Sequence, residues 1–297
     1  MCRRSASSHP KGTEHEVGLT ISRPSCGLAF ICLGAMLSGC ATAPLETSGS
    51  LSAYDSLATS NGTLTQSKLR VDRAEVLAAR TVSISRTSFS SAAAQVELSD
   101  KQRQIIANAI DRSVCIGLSD RFQVVPPGQP ADLKVHATVT HLTLTDPGMA
   151  GASKVVSAVP MFLSLSVPVP VPRIPIGMGS LSIESEARNA KGEQKAAMVW
   201  ARAADSITST ARVSPAGDAY DLASAFGDDF SKLLVTGETP FNKGLSIPTM
   251  QRVTSSLGGP PKNAACDAFG RAGIQGLVGG RLGAPPEWSD EGAVAGN

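Results

Sequence analysis

Two histidines, one pair of adjacent aspartates and a short run of alternating charges are the groups beyond residue 40 whose types suit acid–base or metal chemistry. His136 and His141 lie five residues apart in a segment that reads as a strand. Their side chains are expected on opposite faces, where they cannot share a metal. Asp228 and Asp229 are neighbours on an expected helix, and adjacent helical side chains diverge by about 100°, which reads as a solvated face. Glu184, Glu186 and Arg188 alternate along one side of an expected strand, the pattern of an exposed sheet face laced by charge pairs. The chain holds no Gly-x-Ser-x-Gly nucleophile elbow and no Gly-x-x-x-x-Gly-Lys phosphate loop. The expectation is a non-enzymatic protein without catalytic residues, metal or cofactor; a hydrolase has no constellation to rest on.

Thiol chemistry is clearer. Leu37-Ser38-Gly39-Cys40 closes the apolar run Gly27–Leu37, and Arg3, Arg4, Lys11 and Arg23 lie upstream. A basic lead, a short apolar core and small residues before a cut form a secretory signal. The core falls short of the roughly 20 apolar residues that a bilayer span needs. The Leu-Ser-Gly-Cys ending resembles the lipobox of bacterial lipoproteins, a class in which a diacylglyceryl group joins the Cys sulfur and the peptide is cut just before it. Residues 1–39 are therefore expected to be a removed signal and Cys40 the lipidation site. Ala41 stands where that class carries Asp for inner-membrane retention, which points to the periplasmic face of the outer membrane.

The leader's four basic residues against Glu14 and Glu16 account for the whole formal charge of +2. The remainder is near neutral with no basic block, which argues against nucleic acid as a partner. Aromatic residues make up 4% of the chain, too few for stacking platforms. Once the leader is gone and Cys40 carries lipid, Cys115 and Cys266 are the two thiols left, in a compartment where disulfides persist. Either a bridge that pins the tail to the first long helix, or a buried Cys115 with a free Cys266, is consistent with that.

The elements that would position these groups follow from periodicity. Residues 41–72 read as a Ser-, Thr- and Gly-rich tether, with Leu51 and Tyr54 able to anchor it. The core is expected to start near Ala74. Thr81–Ser85 alternates as a strand, and Ser99 caps a helix whose Ile105, Ile106, Ala109, Ile110 and Val114 recur at helical spacing. Leu133, Val135, Ala137 and Val139 share one face of a strand whose phase slips before Leu142, the mark of a bulge or a twist. Residues 181–188 and 196–204 form an expected hairpin about the turn 189–193. Leu222, Phe226, Phe230, Leu233 and Leu234 form the buried stripe of a last helix, stopped by Gly237. The implied fold is α+β: a mostly antiparallel sheet with two main helices on one face. The domain is bounded at 73–240, with a Gly/Pro-rich flexible tail over 241–297.

Ser48-Gly49-Ser50-Leu51-Ser52-Ala53-Tyr54, Ala131-Asp132-Leu133 and Gly179-Ser180-Leu181-Ser182-Ile183-Glu184 are similar to the pattern of the bacterial lipoprotein family called domain of unknown function 3313. The resemblance covers roughly residues 40–240. It implies a lipid-anchored location and an α+β fold, and it brings no catalytic residues.

Residues 155–179 form a long apolar stretch whose prolines exclude a membrane span. It reads either as a crossover packed on the sheet or as a docking strip that presents Val167, Val169 and Val171 in polyproline conformation. The functional expectation is a membrane-anchored adaptor or assembly factor of the cell envelope that binds an envelope protein. The alternative is a binding module for an envelope lipid or glycan.

Overall fold

The alternating face at Leu133, Val135, Ala137 and Val139 is fully buried in the structure, a computed structural model that describes residues 42–162, 172–241, 250–290 and 292. In chain order the elements begin with β1 (Ala58–Thr59), β2 (Thr65–Val71), α1 (Arg73–Ala78), β3 (Thr81–Ile84) and β4 (Ser88–Phe89). Next come α2 (Ser91–Ala94), α3 (Asp100–Leu118), β5 (Gln123–Val125), β6 (Leu133–Thr143) and α4 (Pro147–Phe162). The strands β7 (Ser180–Asn189) and β8 (Gln194–Ala203) precede α5 (Gly217–Thr236), α6 (Met250–Ser256) and α7 (Ile274–Arg281). One sheet runs β1-β2-β8-β7-β6-β3-β5, with β4 also paired to β6. It is antiparallel from β1 through β6, and β3 and β4 join it in parallel. The fold is thus α+β with a mostly antiparallel sheet.

The helices α3 and α5 cover one face. Ser99 and Gln102 close a capping box at the start of α3, so the two side chains satisfy each other's backbone N–H. Ile106, Ile110 and Val114 of α3 and Leu222, Phe226, Phe230 and Leu234 of α5 enter one core with Leu181, Ile183, Met198 and Trp200 of the sheet. The two helices can approach closely because glycine faces serine twice. A Cβ on Gly227 would stand 2.0 Å from Ser113 Oγ, and one on Gly117 would stand 2.1 Å from Ser231 Oγ. Gly117, near the end of α3, thus serves the helix crossing. Gly237 caps α5 in the left-handed conformation at φ 66°.

Two boundaries differ from expectation. Residues 41–72 are not a loose tether: β1 and β2 belong to the sheet, with β2 paired along its length to β8. Its polar letters hid the strand because alternate residues of β2 face solvent. The C-terminal region is not a bare tail either. Cys115 and Cys266 are joined by a disulfide, and Asp290 forms a buried pair with Arg112 at 2.8 Å that Tyr220 Oη joins at 2.7 Å. A few covalent and ionic contacts, invisible to periodicity, hold 250–290 against α3. Among the described residues no helix is long and apolar enough to cross a membrane. Residues 1–41 and Val167, Val169 and Val171 lie outside the described residues, and with them Cys40.

Candidate functional site

Strands β7 and β8 are buried on both faces. Leu181, Ile183 and Ala187 of β7 point to the helices, and so do Ala196, Met198 and Trp200 of β8. On the other face Ala197 and Val199 pack with Leu51. The cover there is residues 43–57, a strap laid along β7 in the strand's own direction. Pro44 O accepts from Ser182 Oγ at 2.6 Å, Ser50 reaches Glu184, and Ser52 reaches Glu186.

The strap is fastened by carboxylates. Glu184 Oε2 accepts from Ser48 Oγ at 2.8 Å, from Ser50 Oγ at 2.6 Å and from Ser50 N at 3.2 Å, while its Oε1 accepts from Tyr54 Oη at 2.8 Å. Tyr54 Oη in turn accepts from Leu51 N, so the turn 51–54 is locked to the same acid. Glu186 Oε2 accepts from Ser52 N at 2.8 Å, Ser52 Oγ at 2.7 Å and Gln194 Nε2 at 2.8 Å. Burial alone would raise the Glu186 carboxyl, but the Gln194 and Ser52 hydrogen bonds outweigh it and hold it below its ordinary value. Burial likewise raises the Tyr54 phenol. The exposed charge-laced face expected for Glu184, Glu186 and Arg188 is therefore corrected: both acids are fully buried under serines. Arg188 still pairs with Glu186 Oε1 at 3.0 Å along the strand. Alternation places these acids away from the helices but cannot say whether that side is wet. One signal was available: Ala196–Ala201 is continuously apolar, and such a strand needs cover on both faces.

Beside the strap lies a cleft of about 420 Å³ lined by hydroxyls of Ser48, Ser50, Ser88, Ser90, Thr138 and Thr140, with Glu46 and His136 at its rim. A bulge shapes it. The β6–β7 register jumps between Val139 and His141, leaving Thr140 outside the ladder. The bulge also overturns the expectation that the two histidines face apart. His136 sits opposite Glu186, and His141 opposite Ser182, both on the strap side. His136 Nε2 meets Thr138 Oγ1 at 3.1 Å, and His141 Nδ1 meets Glu46 Oε1 at 3.3 Å. Burial lowers the His136 imidazole, with Glu186 partly opposing. Thr140 Oγ1 is buried and has no hydrogen-bond partner among the described residues. Nor do three metal-ligating side chains converge anywhere among them.

The aspartate pair is split by the structure. Asp228 is exposed and pairs with Arg252, whereas Asp229 accepts from Trp200 Nε1 at 2.8 Å. Burial raises the Asp229 carboxyl to about 6, against the pull of the Trp200 hydrogen bond. Only half of the expected solvated face is solvated, because Asp229 lies over the end of the Trp200 ring. Two further sequence motifs have local reasons. Asp132 Oδ2 accepts from Arg80 N and Thr81 N at 2.8 and 2.9 Å, fixing β3 beside β6. Gly179 N donates to Asp218 Oδ2 at 2.6 Å, and a Cβ there would stand 2.7 Å from Thr143 O.

These motifs lie within a family match. The family described as "Protein of unknown function (DUF3313)" matches residues 46–230, from the strap through most of α5. The chain belongs to the DUF3313 family. The match takes in Ser48–Tyr54 together with Glu184 and Glu186, so the DUF3313 region contains both halves of the clasp. No curated protein matches the chain. Among solved structures, the chain is similar to the dodecamer of a PelC point variant from Paraburkholderia phytofirmans in space group C2. The identity is 11% and the TM-score 0.29, covering 58% of this chain and 93% of that one. The PelC dodecamer from the same organism in space group P6 also matches at 11% identity and TM-score 0.29, over 56% and 96%.

Proposed function

We propose that this protein is a lipid-anchored envelope protein, tethered through Cys40 at the periplasmic face of the outer membrane, that acts as a non-enzymatic adaptor or assembly factor for a protein partner. The observation that carries the reading is the strap. Ala43, three residues after Cys40 in the sequence, is already buried. An anchor at Cys40 would join the body of the domain almost directly, through a segment bolted to its central strand. Four buried carboxylates are engaged in holding the chain together. Glu184 and Glu186 fasten the strap, Asp218 pairs with Arg173, and Asp290 pairs with Arg112.

Cys40→Ser tests the anchor, because a hydroxyl is a poor substitute for the sulfur that takes the lipid. Fatty-acid label is expected on the wild type and none on the variant; label retained on Cys40→Ser refutes the reading. Crosslinking of the anchored protein in intact cells, followed by mass identification, tests the adaptor role, which predicts a protein partner in defined stoichiometry.

A second reading, a binding module for an envelope glycan, is favoured by the hydroxyl-lined cleft and by the Thr140 hydroxyl beneath it, which has no hydrogen-bond partner among the described residues. A buried hydroxyl without a partner is costly unless a ligand or water completes it. Chemical-shift changes confined to Ser88, Ser90, His136 and Thr138 on titration with envelope oligosaccharides would support this reading over the first.

A further inference from the structure

The strap fixes which end of the domain an anchor would face. It runs along β7 from Pro44 at Ser182 to Ser52 at Glu186, so its N-terminal end lies on the Ser180 side of that strand. That end is the row Thr143, Ser180 and Ala203 of the three paired strands β6, β7 and β8. Pro44 lies two residues along the strand from this row, about 7 Å. Cys40 is four residues farther on, a reach of at most about 14 Å.

A cap of three segments closes the same end. Asp146 N donates to Gly177 O at 2.8 Å, Ala204 N to Gly179 O at 2.9 Å and Arg173 N to Ser206 O at 2.7 Å. Ile174 N donates to Ser153 Oγ at 3.2 Å, which ties α4 to the cap. Here apolar side chains face outward: Ile207 is 85% exposed, Val155 69%, Ile176 61% and Val156 45%. The nearby carboxylates are turned back on their own backbone. Asp146 Oδ1 accepts from Gly148 N and Met149 N, and Asp205 Oδ1 from Ile207 N and Thr208 N.

We propose that this cap is a bilayer-contacting surface, with Val155, Val156, Ile176 and Ile207 seated at the boundary between lipid headgroups and acyl chains; the proposal rests on the reading of Cys40 as the lipidation site. The occupant is lipid because the short path from Cys40 brings this end within about 20 Å of the attached acyl chains. Exposed apolar side chains gain by leaving water there, as they do on interfacial helices. Lipid attachment and the cap thus form two contacts that orient the domain, with the turn 189–193 pointing away from the membrane.

The test uses the processed protein in phosphatidylethanolamine–phosphatidylglycerol vesicles. With Cys40 acylated and Cys115 bridged to Cys266, an introduced thiol is the one reactive site. Ile207→Cys and, as the distal control, Lys191→Cys each receive an environment-sensitive fluorophore, and intact mass reports the lipid on Cys40. The expected result is a blue-shifted emission at 207, quenched by brominated lipid and shielded from iodide, with the reverse at 191. Lipid on Cys40 with a 207 label open to iodide overturns the proposal alone. A 207 label shielded from iodide but untouched by brominated lipid means contact between copies of the chain and also overturns it. An unlipidated Cys40 overturns the functional reading and this proposal with it.

Discussion

Glu184→Ala removes the acceptor that four strap donors share, and its consequence can be worked from the structure. Each lost hydrogen bond to a charged group is worth about 1.5–3 kcal/mol in isolation. Those at Glu184 are 2.6–3.2 Å long and part-buried, around a carboxylate residue that is itself buried. They share one side chain and do not add, so the cost of breaking such a buried polar cluster is about 3–5 kcal/mol. The strap sets a ceiling, because it can leave. Holding a dozen residues ordered costs roughly 1 kcal/mol or more per residue in backbone entropy. Burial of Leu51 returns about 2 kcal/mol, and the remaining ties of the strap are Ser52 to Glu186, Pro44 O to Ser182 and Ala53 O to Gln194. The strap of the variant is expected to detach from Ser182, Ala197 and Val199 while the helix-side core stays folded.

Hydrogen exchange resolved by residue is the assay. Residues 43–54 of Glu184→Ala should lose protection, α3 and β7 should keep theirs, and the melting temperature should fall by on the order of 10 °C. Glu184→Gln, which keeps one acceptor oxygen, should fall between the variant and the wild type. Detachment would add up to about 50 Å of slack between Cys40 and the sheet, so a label at Ile207 in the same variant should lose its lipid contact. Protection at 43–54 with an unchanged melting temperature would refute the reasoning and leave Leu51 and Tyr54 as sufficient fasteners.

Two further expectations follow from other parts of the structure. Cys115→Ser with Cys266→Ser opens a loop of 151 residues and should cost about 2–5 kcal/mol, with 250–290 losing exchange protection before the sheet; equal denaturation midpoints for the variant and the wild type would refute this. Burial raises the Asp229 carboxyl in the folded chain to about 6, above its unfolded value, so the stability it contributes is full below about pH 4 and lost as pH rises through 6. Asp229→Asn keeps the acceptor for Trp200 and should stabilise by about 1–3 kcal/mol at pH 7 relative to pH 4; a wild-type-to-variant difference independent of pH in urea denaturation would count against it.

Where a residue's role follows from its near neighbours in sequence, it could be read without a structure. Ser99 and Gln102 announce a helix start because the capping box spans three residues. The phase slip after Val139 announces a bulge because a strand's period is two. The stripe Leu222, Phe226, Phe230 and Leu234 needs only the helical repeat. Roles that depend on distant partners were hidden. Ser50 and Glu184 are 134 residues apart, and Arg112 and Asp290 are 178 apart. Both pairs are polar, so local composition pointed to solvent and to mobile ends. Cys40 was legible as a candidate lipidation site from its neighbours Leu37-Ser38-Gly39, whereas the strap that follows it was not.

Under the proposed anchoring at Cys40, the strap has a mechanical consequence. A tether of a few dozen unpaired residues would absorb any displacement between membrane and domain. The strap instead runs the same way as β7, with its hydrogen bonds to that strand spread from Pro44 to Tyr54. A pull on Cys40 along the strand axis therefore loads Ser182, Glu184 and Glu186 together in shear, not one after another. The strand that takes this load is also the one flanked by β6 and β8 and covered by α5. Force or orientation imposed at the membrane would reach the most buried part of the molecule first. The buried carboxylates are where that coupling can be cut without unfolding the core.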